Sequence, residues 1–270
     1  MQTNMFSCPV LALSVAAASF ASCLRGEAAE PRASLLIGAL LTALLCLASA
    51  LTASAMQRSA GRLLRLLRIG FALWLALELA VTLIDAAAIC WEEFSSLAVI
   101  GLLPLLLWAG WGLPNAVYNR AANVLWPIVL LGAGLCVLGL GSQLHWQNLY
   151  ESGAAASGLS LPLCAEYFAL PLLCGRAEQR KAFLLPAAAW TVQTLFALGI
   201  GMLFGPVDVG GLPGRELLRA WTLGAFSRFD GIFILLWLAA ALYRICFLVR
   251  AIRLLADGLR TVAGSVEANL

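Results

Sequence analysis

Three acidic residues stand inside long apolar runs of this chain: Glu78 and Asp85 in residues 69–91, and Glu166 in residues 159–173. A fourth, Asp230, opens the run 229–249 two residues after Arg228. An ionised side chain at the centre of a lipid-embedded helix costs about 2.5–3.5 kcal/mol, so an acid in such a place needs a partner or a task. The tasks open to a carboxyl group there are exchanging a proton, holding an ammonium group, or hydrogen-bonding a neighbouring helix.

The spacing separates these residues. Glu78 and Asp85 are seven residues apart and share one helix face. Glu78 reads as a proton relay or an interhelical hydrogen bond, and Asp85 as a second pocket acid or a group reaching headgroup water. Glu166 is followed by Tyr167 and flanked by Pro162 and Pro171. Prolines that close remove backbone hydrogen bonds, and a membrane helix tolerates such a break where it lines a cavity. Glu166 and Tyr167 are therefore the leading candidates for contact with a small ligand or a coupling ion. Arg228, Asp230 and Trp237 are candidate structural or gating residues, with Asp230 placed to complement the helix dipole. Arg244 is expected to snorkel to the cytoplasmic surface.

Covalent chemistry is not suggested. The chain has one histidine, His145, no Ser/His/Asp set and no phosphate-binding loop. Its eight cysteines include no CxxC pair and mostly lie in apolar runs, so they read as small packing residues. No enzyme activity, metal or cofactor is expected.

The elements that must position these residues follow from composition. Of 270 residues, 62% are hydrophobic and 11% charged, with a mean hydropathy of +0.93. Soluble domains carry roughly 45–50% apolar and about 25% charged residues, so lipid must be the solvent here. Soluble enzymes, nucleic-acid binders and disulfide-rich secreted modules are set aside. Apolar runs bounded by charge predict eight helical spans near 6–23, 33–56, 69–91, 97–113, 124–144, 159–173, 182–204 and 229–249, the sixth being the weakest. Runs of Leu, Ala, Val and Ile without strict alternation exclude a β-barrel. The expected fold is thus all-α, a single polytopic membrane domain over residues 1–270 with a short cytoplasmic tail, 250–270.

Basic residues set the orientation. Arg58, Arg62, Arg65, Arg68, Arg120, Arg176, Arg180, Lys181, Arg244, Arg250, Arg253 and Arg260 fall on one side of the eight-span scheme. Only Arg25, Arg32, Arg215, Arg219 and Arg228 fall on the other. Both termini are therefore expected in the cytoplasm. Phe20-Ala21-Ser22-Cys23 resembles a lipoprotein cleavage box, but no basic residue precedes the run, so a retained first helix is expected. Glycines 132, 134, 139 and 141, and 199, 201 and 205, suggest close helix packing. Tryptophans near span ends fit an aromatic belt. Residues 215–226 could form a short interfacial helix, either a lid or a plain surface helix.

The stretch Phe226-Ser227-Arg228-Phe229-Asp230-Gly231-Ile232-Phe233, with Trp237 and Arg244 beyond it, resembles the R-x-D…W pattern of endospore germination permeases. These are the GerAB-type B subunits of germinant receptors, within the amino acid–polyamine–organocation (APC) superfamily. Asn119-Arg120-Ala121-Ala122 before Trp126-Pro127-Ile128, Glu166 before Pro171 and a basic loop, and Phe204-Gly205-Pro206 agree in order. The resemblance runs from about Ile69 to Arg253. It implies a LeuT/APC-like bundle of inverted five-helix repeats, with a small amino acid or similar ligand near broken first and sixth helices. It also implies a multi-pass location in the inner membrane, including the spore inner membrane, and assembly with an A-type membrane subunit and a C-type lipoprotein. The family has ten spans, so with eight the second repeat would be incomplete. Residues 1–24 contain no glycine with which a first helix could unwind. Three readings follow: a germinant sensor, a small amino-acid secondary transporter with its proton on Glu166 or Glu78, and a structural subunit without a working pocket.

Overall fold

The computed structural model describes residues 5–24, 31–58, 62–141, 143–148, 163–205, 213–220 and 230–267. Among them every regular element is helical. The long helices are α1 (Cys8–Leu24), α2 (Pro31–Arg58), α3 (Arg62–Phe94), α4 (Ala98–Gly112) and α5 (Asn115–Leu140). A 3₁₀ turn (Ala165–Tyr167) and two short helices, α6 (Leu170–Leu173) and α7 (Arg176–Ala182), follow. Then come α8 (Leu185–Phe204), α9 (Pro213–Arg219) and α10 (Asp230–Glu267).

Among the described residues, four helical stretches are long and apolar enough to cross a bilayer: Gly38–Met56, Leu63–Phe94, Leu185–Phe204 and Gly231–Leu259. A bent pair, Ala98–Gly112 with Asn115–Gly132, turns through 117° and brings the number to five if it counts as one span. The described residues are therefore those of an all-helical, multi-pass membrane protein. The difference from the eight expected spans has three sources. α1 and α4 have 17 and 15 residues, short of the roughly 20 that a span needs, and the sixth run is not a continuous helix.

Helix periodicity explains α3. Leu66, Leu73, Leu77, Val81 and Ile84 recur at three- to seven-residue spacing and are all exposed, as a lipid-facing stripe would be. Phe71, Leu75, Thr82, Ala86 and Cys90 form the opposite, buried face. Glu78 falls on that inward face, between Leu75 and Thr82.

α10 lies at the centre: 61% of its most apolar stretch is buried, against 22% for α2 and α3. It runs antiparallel to α3, since Arg68 hydrogen-bonds the Gly258 carbonyl and Glu78 pairs with Arg244. Further along, Ala86 and Cys90 share a cluster with Phe233 and Trp237. α10 is likewise antiparallel to α1: the Phe6 ring, just before α1, stands edge-on to Phe247 at 5.0 Å, while Ala21 and Leu24 join Phe233 and Trp237. α4 runs alongside in the same direction as α10, with Leu106 against Cys246 and Gly110 against Val249.

α1 is almost wholly buried and supplies core rather than periphery. Two of its three buried serines are satisfied nearby: Ser19 donates to the Val15 carbonyl, Ser22 donates to the Ser19 carbonyl, and Gln193 of α8 donates to Ser22 at 2.8 Å. The segment before it is pinned at one end of the bundle. The Ser7 and Cys8 N–H groups donate to Asn119 and Glu178, and the Phe6 N–H donates to the Leu173 carbonyl. The charged Glu178 at the start of α1 also suits the helix dipole.

Two further expectations change. Residues 250–267, expected as a short tail beyond the last span, are helical and continue α10. Loss of hydropathy there does not end the helix, because no proline interrupts it. Arg250 hydrogen-bonds Asn115, and Arg253 donates to the Trp111 carbonyl and lies over its ring. The expected interfacial helix at 215–226 is the shorter α9, with Leu217 and Leu218 buried against α8 and α1. Residues 221–226 lie outside the described residues.

Candidate functional site

The interrupted sixth segment is held open by its own proline. Pro171 has no N–H to give the Tyr167 carbonyl four residues earlier, and the hydroxyl of Ser49 on α2 donates to that carbonyl instead. At the other end of the 3₁₀ turn, the Ala165 N–H donates to Glu78 Oε1 at 2.5 Å. The Gln179 side chain donates to the Cys174 carbonyl. Backbone polar groups that a continuous helix would satisfy internally are thus served by side chains of neighbouring elements, as a break within a membrane requires.

That turn carries Glu166 into a group built from four elements. Arg244 of α10 places Nη2 at 2.5 Å from Glu78 Oε2 and 3.3 Å from Glu166 Oε1. Its Nη1 donates to the Ser14 carbonyl of α1 at 2.6 Å, and the Ser14 hydroxyl donates to Glu166 Oε1, also at 2.6 Å. Glu166 is fully buried, Arg244 is 2% exposed, and the Glu78 side chain is 13% exposed. From Arg68, at the end where α3 meets Gly258, Glu78 lies ten residues along the helix. That is about 15 Å, half of a ~30 Å hydrocarbon core.

Among the described residues, three buried atoms of this group have no hydrogen-bond partner: Glu166 Oε2, Arg244 Nε and the Tyr167 hydroxyl. The Cys164 thiol lies among them, near both the guanidinium and the Tyr167 ring hydroxyl. Ligand atoms of Glu78, Cys164 and Glu166 fall within 4.8 Å of one another. Buried polar groups are nearly always paired, so unpaired ones gathered at one point mark a place that has something still to bind.

The sequence candidates divide cleanly. Glu78, Glu166 and Tyr167 are brought together. Asp85 is two helical turns, about 10 Å, further along α3, partly buried, and is not drawn into this group. Trp237 is buried and donates from its indole N–H to the Ala17 carbonyl of α1 at 3.0 Å, a structural contact between helices. Asp230 opens α10, and Arg228 lies outside the described residues.

Arg244 is the correction. Expected at the cytoplasmic surface, it is one of the largest fully buried side chains, because two carboxylates and a backbone carbonyl offer it a better partner set than headgroup water. The signal for this was in the sequence: Arg244 follows Trp237 by seven residues and so shares its inward face. Ser14 also escaped notice, since a lone serine in an apolar helix has no distinguishing pattern. Comparison with protein-family models, curated proteins and solved structures finds no match to this chain.

Proposed function

We propose that this protein is a small-solute sensor or carrier of the germination-permease kind, working in a bacterial inner membrane, including that of the spore. In this reading the chain makes eight passes with both ends in the cytoplasm, and its helices form an incomplete inverted repeat. The single observation that carries the reading is Glu166 Oε2, fully buried on an interrupted segment and without a hydrogen-bond partner among the described residues. A carboxylate there suits the amine of an amino acid or a similar small molecule, or a coupling proton. Tyr167 lines the same place, Glu78 and Arg244 fix the orientation of Glu166, and Asp85 lies on the approach along α3. Trp237 helps set the position of α10 through its bond to α1, while Arg228 and Asp230 remain the structural or gating candidates of this reading. Convergence of the first, third, interrupted sixth and last apolar segments on one point supports the resemblance noted above. The unbroken α1 departs from it. An A-type membrane subunit and a C-type lipoprotein are the partners this reading brings with it.

Uptake of labelled amino acids into proteoliposomes, with Glu166→Gln beside the unaltered protein, tests it. Uptake abolished by the substitution supports a carrier. Absent uptake together with a germination defect on deletion supports a sensor. If deletion changes neither uptake nor germination, both fail. A structural subunit is the second reading, favoured by the Arg244 guanidinium, which already occupies the space between the two carboxylates.

A further inference from the structure

The charges around Arg244 do not balance. Two carboxylates, Glu78 and Glu166, face one guanidinium, and they do so where water is scarce and an uncompensated charge is costly. A single nitrogen, Arg244 Nη2, serves both acids, so the second carboxylate gains little that the first has not already taken. Among the described residues, one unit of negative charge is left over.

We infer that the Glu78–Glu166 pair is a one-proton site: the surplus charge is cancelled by a single exchangeable proton shared between the two carboxyl groups, with Arg244 as the fixed counter-charge. The inference deepens the carrier or sensor reading by naming the ion that Glu166 handles.

Three features of the geometry favour a proton over a larger cation. Three of the four carboxylate oxygens are directed to fixed partners, Glu78 Oε1 to the Ala165 N–H, Glu78 Oε2 to Arg244 and Glu166 Oε1 to the Ser14 hydroxyl. Glu166 Oε2 remains open, and a proton needs only one further oxygen, whereas a metal ion needs a shell of four or more ligands. The guanidinium also stands among the would-be ligands Glu78, Cys164 and Glu166 and repels a second cation. Among the described residues, the titratable and charged groups facing the pair are Arg244 from α10 and Cys164 and Tyr167 from the interrupted segment. From α1 only the neutral Ser14 faces it. Loading the site converts one carboxylate to a carboxyl group with a proton drawn from water, and unloading returns it. Nothing is oxidised or reduced.

Infrared spectroscopy of the full chain in lipid nanodiscs at neutral pH tests this without any transported solute. Exposed acids are ionised there. The unaltered protein should show a protonated-carboxyl C=O stretch that shifts in D₂O. Glu78→Gln and Glu166→Gln should each abolish it, because each leaves one carboxylate for one guanidinium, and Glu216→Gln, at a partly exposed acid on α9, should leave it in place. Absence of the band in the unaltered protein overturns the inference even if no variant folds. So does a band that survives both glutamine substitutions, or one removed by sodium, potassium or zinc chloride. A band with these properties in a protein that neither transports nor supports germination leaves the proton site standing and removes the functional reading. Transport without the band does the reverse.

Discussion

Arg244 Nη2 lies 2.5 Å from Glu78 Oε2, joining the centre of α10 to the inward face of α3 by a buried ion pair. Removing one partner of such a pair leaves the other charge stranded, a loss of roughly 3–5 kcal/mol. Arg244→Met strands the one negative charge that the pair keeps and is expected to fall in that range, read as a large drop in thermal unfolding temperature in detergent. Arg244→Lys keeps the charge but not the planar fork that reaches Ser14 and both acids, so it should fall between the two. Adding Glu78→Gln and Glu166→Gln to Arg244→Met should recover most of the loss. If the triple variant is as unstable as the single one, the cost is one of packing volume and not of charge.

Trp237 lies two helical turns from Arg244, and both side chains donate to backbone carbonyls of α1, at Ala17 and Ser14. Trp237→Phe keeps an aromatic ring and loses only the indole N–H, so a cost of about 1 kcal/mol is expected, as for one neutral hydrogen bond. Trp237→Ala also opens a cavity and should cost about 3–5 kcal/mol. Equal losses for the two variants, measured by thermal unfolding, would show that the hydrogen bond, not the ring, holds α1 to α10.

Helix class, membrane setting and the inward placement of Glu78 were legible because each rests on local pattern: apolar run length, charge at the boundaries, and a period of 3.6. The break around Glu166 was legible for a similar reason, since proline acts on the residue four before it whatever the tertiary surroundings. What could not be read was which buried groups meet. Glu78 and Glu166 are 88 positions apart in the chain, and Arg244 is 78 further on. Only the antiparallel packing of α3 and α10 brings Arg244 to Glu78. Snorkelling was the default for Arg244 because hydropathy treats every membrane arginine as lacking an internal partner. The extension of α10 past residue 250 escaped for another reason: hydropathy marks where the membrane ends and says nothing of where the helix does.

Gly110 is the close-approach point of α4 on α10. A Cβ there would stand 2.7 Å from the Val249 Cβ and 2.9 Å from the Cys246 carbonyl oxygen. The carbonyl belongs to the backbone of a central helix and cannot move aside, so Gly110→Ala must push α4 outward, at an expected cost of about 1–3 kcal/mol. Gly101→Ala and Gly134→Ala meet nothing within 4 Å. They should be neutral, or stabilising by up to about 1 kcal/mol from helix propensity. Matched thermal unfolding of the three variants checks this, and a harmless Gly110→Ala would mean that α4 is not seated against α10 at this depth.

The turns at the two ends of α4 decide how the bent pair is to be counted. Leu97 precedes the helix and Gly112 ends it, both exposed, and 15 helical residues separate the turns by about 22 Å. Arg253 reaches the Trp111 carbonyl at the Gly112 end, the same end at which Arg68 meets Gly258, so that end should face the cytoplasm. Leu97→Cys is then expected to react with a membrane-impermeant maleimide in intact cells, and Gly112→Cys only after permeabilisation. Opposite-side labelling would make α4 a crossing helix in its own right despite its length, because a locally thinned bilayer accommodates a short span at modest cost. Labelling of both cysteines from one side would instead make α4 and α5 a re-entrant hairpin and would exclude the eight-pass arrangement.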